Sequence, residues 1–239
     1  MICLSFDTDH LDEARMKEFL SYVKIPGTGT FFCTQRYRCL DSAHHELAPH
    51  PCLVAGRLWD DELQTMRASF PKAVGWRSHS CIYSHLLSEW VGRNGYQYVS
   101  TADNLGQPGI KPIREAFGTW QMPIYYMENL DFSDSRFWGA RAKAPFDRQK
   151  IDLAMKNQGL FVFDFHPVHL MLNTPSYEFY AAARDDFKKG LPLTQLRYDG
   201  VGAHSFYVEL VETMSRAGVE SCSMAFALNE HRKAIGETE

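Results

Sequence analysis

Apolar residues follow two rhythms along this chain. Short apolar runs have the composition of buried strands: Ile2 to Phe6, Gly29 to Thr34, Ala73 to Trp76, Tyr96 to Ser100, Met122 to Met127 and Gly159 to His166. Between them the apolar residues fall three or four apart. Leu11, Ala14, Phe19 and Leu20 approximate one helical face, and Asp60 to Ser69, Ser84 to Asn94, Asp147 to Asn157 and Phe206 to Arg216 also read as helices. Pro26-Gly27 and Gly95 mark turns. Thr101 to Trp120, with Gly106, Pro108, Gly109 and Pro112, reads as loop, and Ser223 to Leu228 fits a last strand or a helix start. The alternation of strand and helix predicts an α/β fold with a barrel-like parallel sheet of roughly seven strands. No repeat, low-complexity tract or linker divides the chain, so a single domain over 1–239 is expected.

The 239 residues are 45% hydrophobic and 23% charged, enough for one large core. The formal net charge of -4 gives no basic excess for nucleic acid or an anionic membrane. No stretch approaches the ~20 apolar residues of a membrane span, and the N-terminus lacks the pattern of a signal peptide. A cytoplasmic location is therefore expected. The cysteines, Cys3, Cys33, Cys39, Cys52, Cys81 and Cys222, form no CxxC pair. They read as reduced and mostly buried, with spacing wrong for a cysteine-zinc site.

The polar residues that interrupt this pattern collect at strand ends. Asp7 and Asp9 follow the first strand, and His50 follows Glu46-Leu47-Ala48-Pro49. Arg77 and His79 follow the run ending at Trp76, and His166 and His169 follow the run ending at Phe165. In a parallel sheet these groups would share the carboxyl edge and converge on one cleft. Two carboxylates so close repel unless a cation or an arginine lies between them. Asp and His together are a common ligand set for Zn²⁺ or a similar ion. A blander reading makes Asp7 and Asp9 caps of the helix that starts near Leu11.

In order and spacing these segments resemble the polysaccharide deacetylases. Ser5-Phe6-Asp7-Thr8-Asp9-His10 resembles that family's first motif, and Gly29-Thr30-Phe31-Phe32 the strand after it. His45-Glu46-Leu47-Ala48-Pro49-His50 resembles the second motif, a metal-binding His-x-x-x-His. Gly75-Trp76-Arg77-Ser78-His79-Ser80 resembles the third motif and Phe163-Asp164-Phe165-His166-Pro167 the last. The resemblance spans about residues 2 to 175. It implies a distorted (β/α) barrel and a divalent-metal-dependent enzyme, with zinc the first choice, that removes acyl groups from sugars. Two departures stand out. Thr8 separates acids that are adjacent in the family, and Val54 occupies the place of the second motif histidine. The pattern is similar to a branch associated with bacterial surface-polysaccharide clusters.

By that resemblance Asp7 is the expected general base and Asp9 and His50 are metal ligands. His79 is the first candidate for the missing ligand, ahead of His10 and His169. Hydrolysis also needs an acid for the leaving group, and His166 suits donation near neutral pH. Arg77 is expected to pair with Asp7, and Glu128 or Asp131 to orient the acid histidine. Trp76, Tyr126, His169 and Glu128 are candidate substrate contacts, with Tyr125 and Trp138 as further aromatics. The expected reaction is deacetylation or deformylation of a nucleotide- or lipid-linked amino sugar. Rival readings are an inactive carbohydrate-binding protein on the same fold, and a glycoside hydrolase using a carboxylate pair such as Asp7 and Glu128.

Overall fold

The computed structural model describes residues 1–54, 59–133 and 145–237. The chain runs β1 (Ile2–Asp7), α1 (Glu13–Tyr22), β2 (Gly29–Cys33), β3 (Glu46–Pro49), α2 (Trp59–Ser69), β4 (Gly75–Trp76) and a 3-10 turn (His79–Cys81). It continues through α3 (His85–Arg93), β5 (Tyr98–Val99), β6 (Ile113–Arg114), β7 (Trp120–Gln121), β8 (Ile124–Met127), α4 (Glu128–Ser133) and α5 (Gln149–Lys156). Then come β9 (Phe161–Phe165), α6 (Pro167–Leu172), α7 (Tyr177–Lys188), α8 (Leu193–Leu196), α9 (Ala203–Arg216) and α10 (Met224–Ala234).

A five-stranded parallel sheet in the order β3-β2-β1-β9-β8 forms the centre of this α/β fold. A second sheet, β4-β5-β7-β6, is parallel except for the β6–β7 pair. The pairing thus differs from a ring of about seven parallel strands. Backbone bonds join the two sheets on both sides. Arg77 N donates to Pro49 O (3.3 Å) and His79 N to Pro51 O (2.9 Å); Ile124 N donates to Ala102 O (2.9 Å) and Asn104 N to Ile124 O (2.8 Å). The segment read as loop over 101–120 carries β6 and the start of β7. Ser223 to Leu228 opens α10, with the Ser223 hydroxyl accepting from Phe226 N.

Strand alternation sorts side chains into two environments. Ile2, Leu4 and Phe6 of β1, with Phe161, Phe163 and Phe165 of β9, join the larger apolar cluster, which includes Phe19 of α1 and Tyr207 of α9. Cys3 and Val162 face the other way, into a smaller cluster with Phe32, Tyr98, Trp120, Met122 and Met224, Ala227 and Leu228 of α10. Continuing on that second face are Ser5 and Asp7 of β1, and Asp164 and then His166 of β9. The register pairs Ser5 with Asp164. One face of the central sheet therefore grades along its length from apolar to polar to ionisable.

Below that floor, Glu46 accepts from Tyr98 OH (2.8 Å), Thr30 Oγ1 (3.0 Å) and Ala225 N (2.9 Å). A carboxylate at the first turn of α10 satisfies an otherwise unpaired N–H and complements the helix dipole. All six cysteines are free; Cys3 and Cys33 are buried, and Cys52 is exposed. Among the described residues no helix is long and apolar enough to cross a membrane.

The cap of α1 is Asp12, whose side chain accepts from Arg15 N at 2.8 Å, so Asp7 and Asp9 are not its caps. Asp12→Ala is expected to cost about 1 kcal/mol in a urea melt, the usual worth of such a cap. It should leave the Asp7 and Asp9 carboxylates in place; an unchanged midpoint would show that the cap contributes nothing.

Candidate metal and acid–base centre

The carboxyl edge of the strands gathers the residues singled out above. Asp7 ends β1, and Thr8 still pairs with the sheet through Thr8 N to Phe32 O (3.0 Å). The Thr8 hydroxyl accepts from Thr34 N at 3.1 Å. With Thr8 turned into that contact, Asp7 at the strand end and Asp9 at the start of the following turn bring carboxylate oxygens toward the same nitrogen, His50 Nε2. A tight turn follows, with His10 in the left-handed region (φ 63°) and exposed.

Arg77, directly after β4, is fully buried. Its Nε donates to Ser100 O (2.7 Å) and its Nη2 to Ser100 Oγ (2.7 Å). Nη1 donates to Asp7 Oδ1 (2.8 Å) and to Asp164 Oδ1. The guanidinium also lies over the Phe32 ring, 4.0 Å from its centroid. Burial disfavours its charge, but Asp164 and Asp7 outweigh burial and raise its pKa.

His50 follows β3 and is buried. Its Nδ1 faces the Arg77 carbonyl at 3.1 Å. A carbonyl only accepts, so Nδ1 carries the hydrogen and the lone pair of a neutral ring is on Nε2. That atom lies 3.3 Å from Asp9 Oδ2 and 3.7 Å from Asp7 Oδ2. His50 Nε2 and Asp9 Oδ2 are both buried and neither has a hydrogen-bond partner. A lone pair facing carboxylate oxygens is unfavourable unless positive charge lies between them, as a proton or a metal cation. Burial opposes a charge on His50, but Asp7 and Asp9 overcome it and raise its pKa. Burial likewise raises that of Asp9, while His50 and His79 hold it well below the usual carboxylate range.

His79 opens the 3-10 turn with Nδ1 3.0 Å from Asp9 Oδ1 and its side chain 38% exposed. The two residues after it, Ser80 (φ 57°) and Cys81 (φ 51°), are both left-handed. Asp9, His50 and His79 offer ligand atoms within 4.8 Å of one another, as do the overlapping sets Asp7, Asp9, His166 and Glu128, His166, His169. The donor set of the first group suits zinc. Val54 is 46% exposed and belongs to none of these groups.

His166 leaves β9 as the cap of α6, with Pro167 at the first helical position, where proline is well tolerated. Glu128 Oε1 accepts from His166 N (2.6 Å) and from its Nδ1 (3.0 Å). His166 Nε2 is turned to the cluster, 3.6 Å from Asp9 Oδ2. Burial alone would lower its pKa, but the Glu128 carboxylate drives it up to about 10. Asp131 does not share this work: it pairs with Lys150 (2.5 Å) and accepts from Phe146 N (2.9 Å). His169 is buried beside His166, with Nδ1 3.1 Å from Thr174 Oγ1 and its ring against Phe132 and Tyr180. Burial pushes its pKa well down, so it is neutral.

The aromatic candidates fare differently from the histidines. Trp76 and Tyr126 are each 1% exposed and belong to the core, Tyr126 packing against Phe163, Phe165 and Phe206. Tyr125 packs on Phe161 and Phe163. None of the three presents an open ring face to a sugar, since each is at most 2% exposed. Glu128, fully buried, touches His166 instead of facing solvent. Trp138 lies outside the described residues. Ser5, Ser100 and Asp164 were given no role from sequence; the visible signal was a lone acid inside the apolar run Phe161 to Phe165.

A sequence model of the WbmS-like polysaccharide deacetylases matches residues 4–184. No curated protein matches the sequence significantly. The fold is similar to the crystal structure of a candidate polysaccharide deacetylase involved in O-antigen biosynthesis from Bordetella bronchiseptica. That likeness has a TM-score of 0.71 at 20% identity and covers 89% of this chain and 90% of that one. It is also similar to a candidate polysaccharide deacetylase from Mycobacterium smegmatis, with a TM-score of 0.56 at 16% identity, covering 98% of this chain and 90% of that one.

The His166–Glu128 pair makes a pH-dependent contribution to stability. A histidine whose folded pKa is raised binds its proton more tightly in the folded state. Its contribution is complete below the unfolded value near 6.5 and is lost as pH rises toward about 10. Metal-free protein should therefore lose stability across that window. NMR should follow the His166 ring titrating well above 6.5, and Glu128→Gln should bring the midpoint down. An unshifted midpoint in the native protein would contradict the pairing.

Proposed function

We propose, for a chain that belongs to the WbmS-like family of polysaccharide deacetylases, the metal-dependent hydrolysis of an acetyl or formyl group from an amino sugar of a surface-polysaccharide pathway. The observation that carries this reading is the confrontation of His50 Nε2 with Asp9 Oδ2, buried and unpaired, with His79 beside them. The pathway assignment is supported by the fold shared with a protein described in connection with O-antigen biosynthesis.

In this reading Asp9, His50 and His79 hold a divalent ion, most simply zinc, and His79 supplies the donor that Val54 does not. Bound there, the ion supplies Lewis acidity toward a water molecule and the acyl carbonyl. Asp7 is the base. Arg77 engages its Oδ1, which leaves Oδ2 to take the proton from water as the water oxygen bonds to the carbonyl carbon. His166 is the acid: Glu128 holds its Nδ1, so the second ring proton sits on Nε2, facing the cluster. That proton goes to the sugar nitrogen as the C–N bond breaks, releasing the amine and a carboxylic acid. A raised pKa keeps this proton in place at neutral pH until the leaving nitrogen takes it.

Metal content by elemental mass spectrometry, after dialysis against metal-free buffer and again after zinc reloading, tests the ligand set. About one equivalent is expected, lost in His50→Ala and in Asp9→Ala. Asp7→Asn should keep its metal and lose about 10²- to 10⁴-fold in kcat on the acetylated or formylated sugar found by screening. Retained stoichiometric metal in Asp9→Ala would remove Asp9 from the ligand set. No metal under either condition, with sugar bound but not turned over, would favour a carbohydrate-binding protein.

A further inference from the structure

Beneath the reacting groups lies a carboxylate that the scheme above does not use. Asp164 is the single charged residue of β9, and every residue of that strand is buried. Placing an ionised carboxylate in such a strand is costly, and Val or Leu would serve packing there. Its Oδ1 accepts from Ser5 Oγ (2.6 Å) and from Arg77 Nη1, while its Oδ2 has no partner. Ser5 lies two positions before Asp7 and Asp164 two before His166, so this pair forms the tier directly under the base and the acid.

The donors of Arg77 show what the tier does. Ser100 takes Nε and Nη2, and the Phe32 ring covers one face of the guanidinium. Of the two Nη1 hydrogens one serves Asp7 and the other Asp164. Without Asp164 that second hydrogen has only Ser5 Oγ, at 3.3 Å, within reach. With that hydrogen released, the Nη1 end can shift about its Ser100 anchors toward Asp7 and reach the oxygen that must take a proton.

We propose that Asp164 is a positioning residue: through Arg77 it confines the guanidinium to one oxygen of Asp7 and so keeps the other directed at the reacting water. Burial lifts the Asp164 carboxyl to about 7 against the pull of Arg77, in keeping with a group placed there at a cost. This inference rests on the reading of Asp7 as the base.

The test compares zinc-loaded Asp164→Ala and Asp164→Asn with the native protein. Asn keeps an oxygen for Ser5 and Arg77. Kinetics use 4-nitrophenyl acetate as the probe, and crystal structures report where Arg77 sits. Asp164→Ala is expected to shift Arg77 relative to the Asp7 carboxylate and lower kcat ~10- to 100-fold, the usual loss on removing an outer partner, with KM and zinc content unchanged. Asp164→Asn should retain most of the native kcat. Arg77 unmoved in the Ala variant, or native kcat in its folded fraction, would overturn the proposal, as would a loss in Asn equal to that in Ala. If Asp164→Ala does not fold, Ser5→Ala should lower kcat in the same direction, and an unchanged value would overturn it. Failure of the parent reading is seen separately, as full activity in Asp7→Asn.

Discussion

Arg77 carries a full positive charge where no water reaches it, and four strands are arranged to meet its demands. It follows β4, bonds twice to Ser100 beyond β5, and reaches the carboxylates of β1 and β9. Its backbone completes the pattern: its N–H bonds to Pro49 at the end of β3, and its carbonyl fixes the tautomer of His50. Such an ion pair adds little net stability against an apolar replacement, but removing one partner strands the other and costs about 3–5 kcal/mol. The arginine is thus better understood as a registration device. It sets where Asp7, Asp164 and His50 stand relative to each other, and with them the geometry of the ionisable groups at the strand ends.

The space enclosed by the strands is stratified. At the amino edge an apolar floor of Cys3, Val162 and Tyr98 is closed by α10, whose first turn is held by Glu46. Above it stands the Ser5, Asp164, Ser100 and Arg77 layer, and above that Asp7, Asp9, His50 and His166. Each layer limits the freedom of the next, because the side chains come from the same strands two residues on. A low-dielectric floor also strengthens the electrostatics of the tier it supports. His79 stands apart: it is half-exposed on a short turn with two left-handed residues, so it is the ligand candidate with the most freedom to move.

How much of this could be read in the sequence depends on the physics of each feature. Strands β1, β2 and β9 and helices α1, α2, α3, α5 and α9 announce themselves by periodicity, and their ends carry the ionisable residues that meet in space. Short elements did not: β3 contains a proline and a charged residue, and β6 and β7 are two residues each inside a Gly- and Pro-rich stretch. Helix α6 is six residues long and buried throughout, so it has no polar face to set a period, and α7 shows one only once Ser176 is seen to cap it. The aromatics near the motifs were misleading, because Trp76 and Tyr126 answer to core packing and not to solvent. Conversely, Asp164 stood in plain view inside an apolar run, and only its contacts explain its presence. The substitution at Val54 looked like a lost ligand in one dimension, whereas in three dimensions His79 arrives beside Asp9 from another loop.

Thr8, finally, imposes a parity on the start of the chain. An extended backbone reverses side-chain direction at every residue, so an even offset keeps two side chains together and an odd one parts them. With Thr8 in place, Asp7 shares an offset with Ser5 and Cys3, and the turn that follows starts at Asp9 and carries its carboxylate back beside that of Asp7. Deleting Thr8 alone would swing an acid out of the cluster or force the turn at His10 to be rebuilt, whereas a change of two residues would conserve the sense of both. The spacer that separates the acids in sequence is, in this chain, what lets them face the same point.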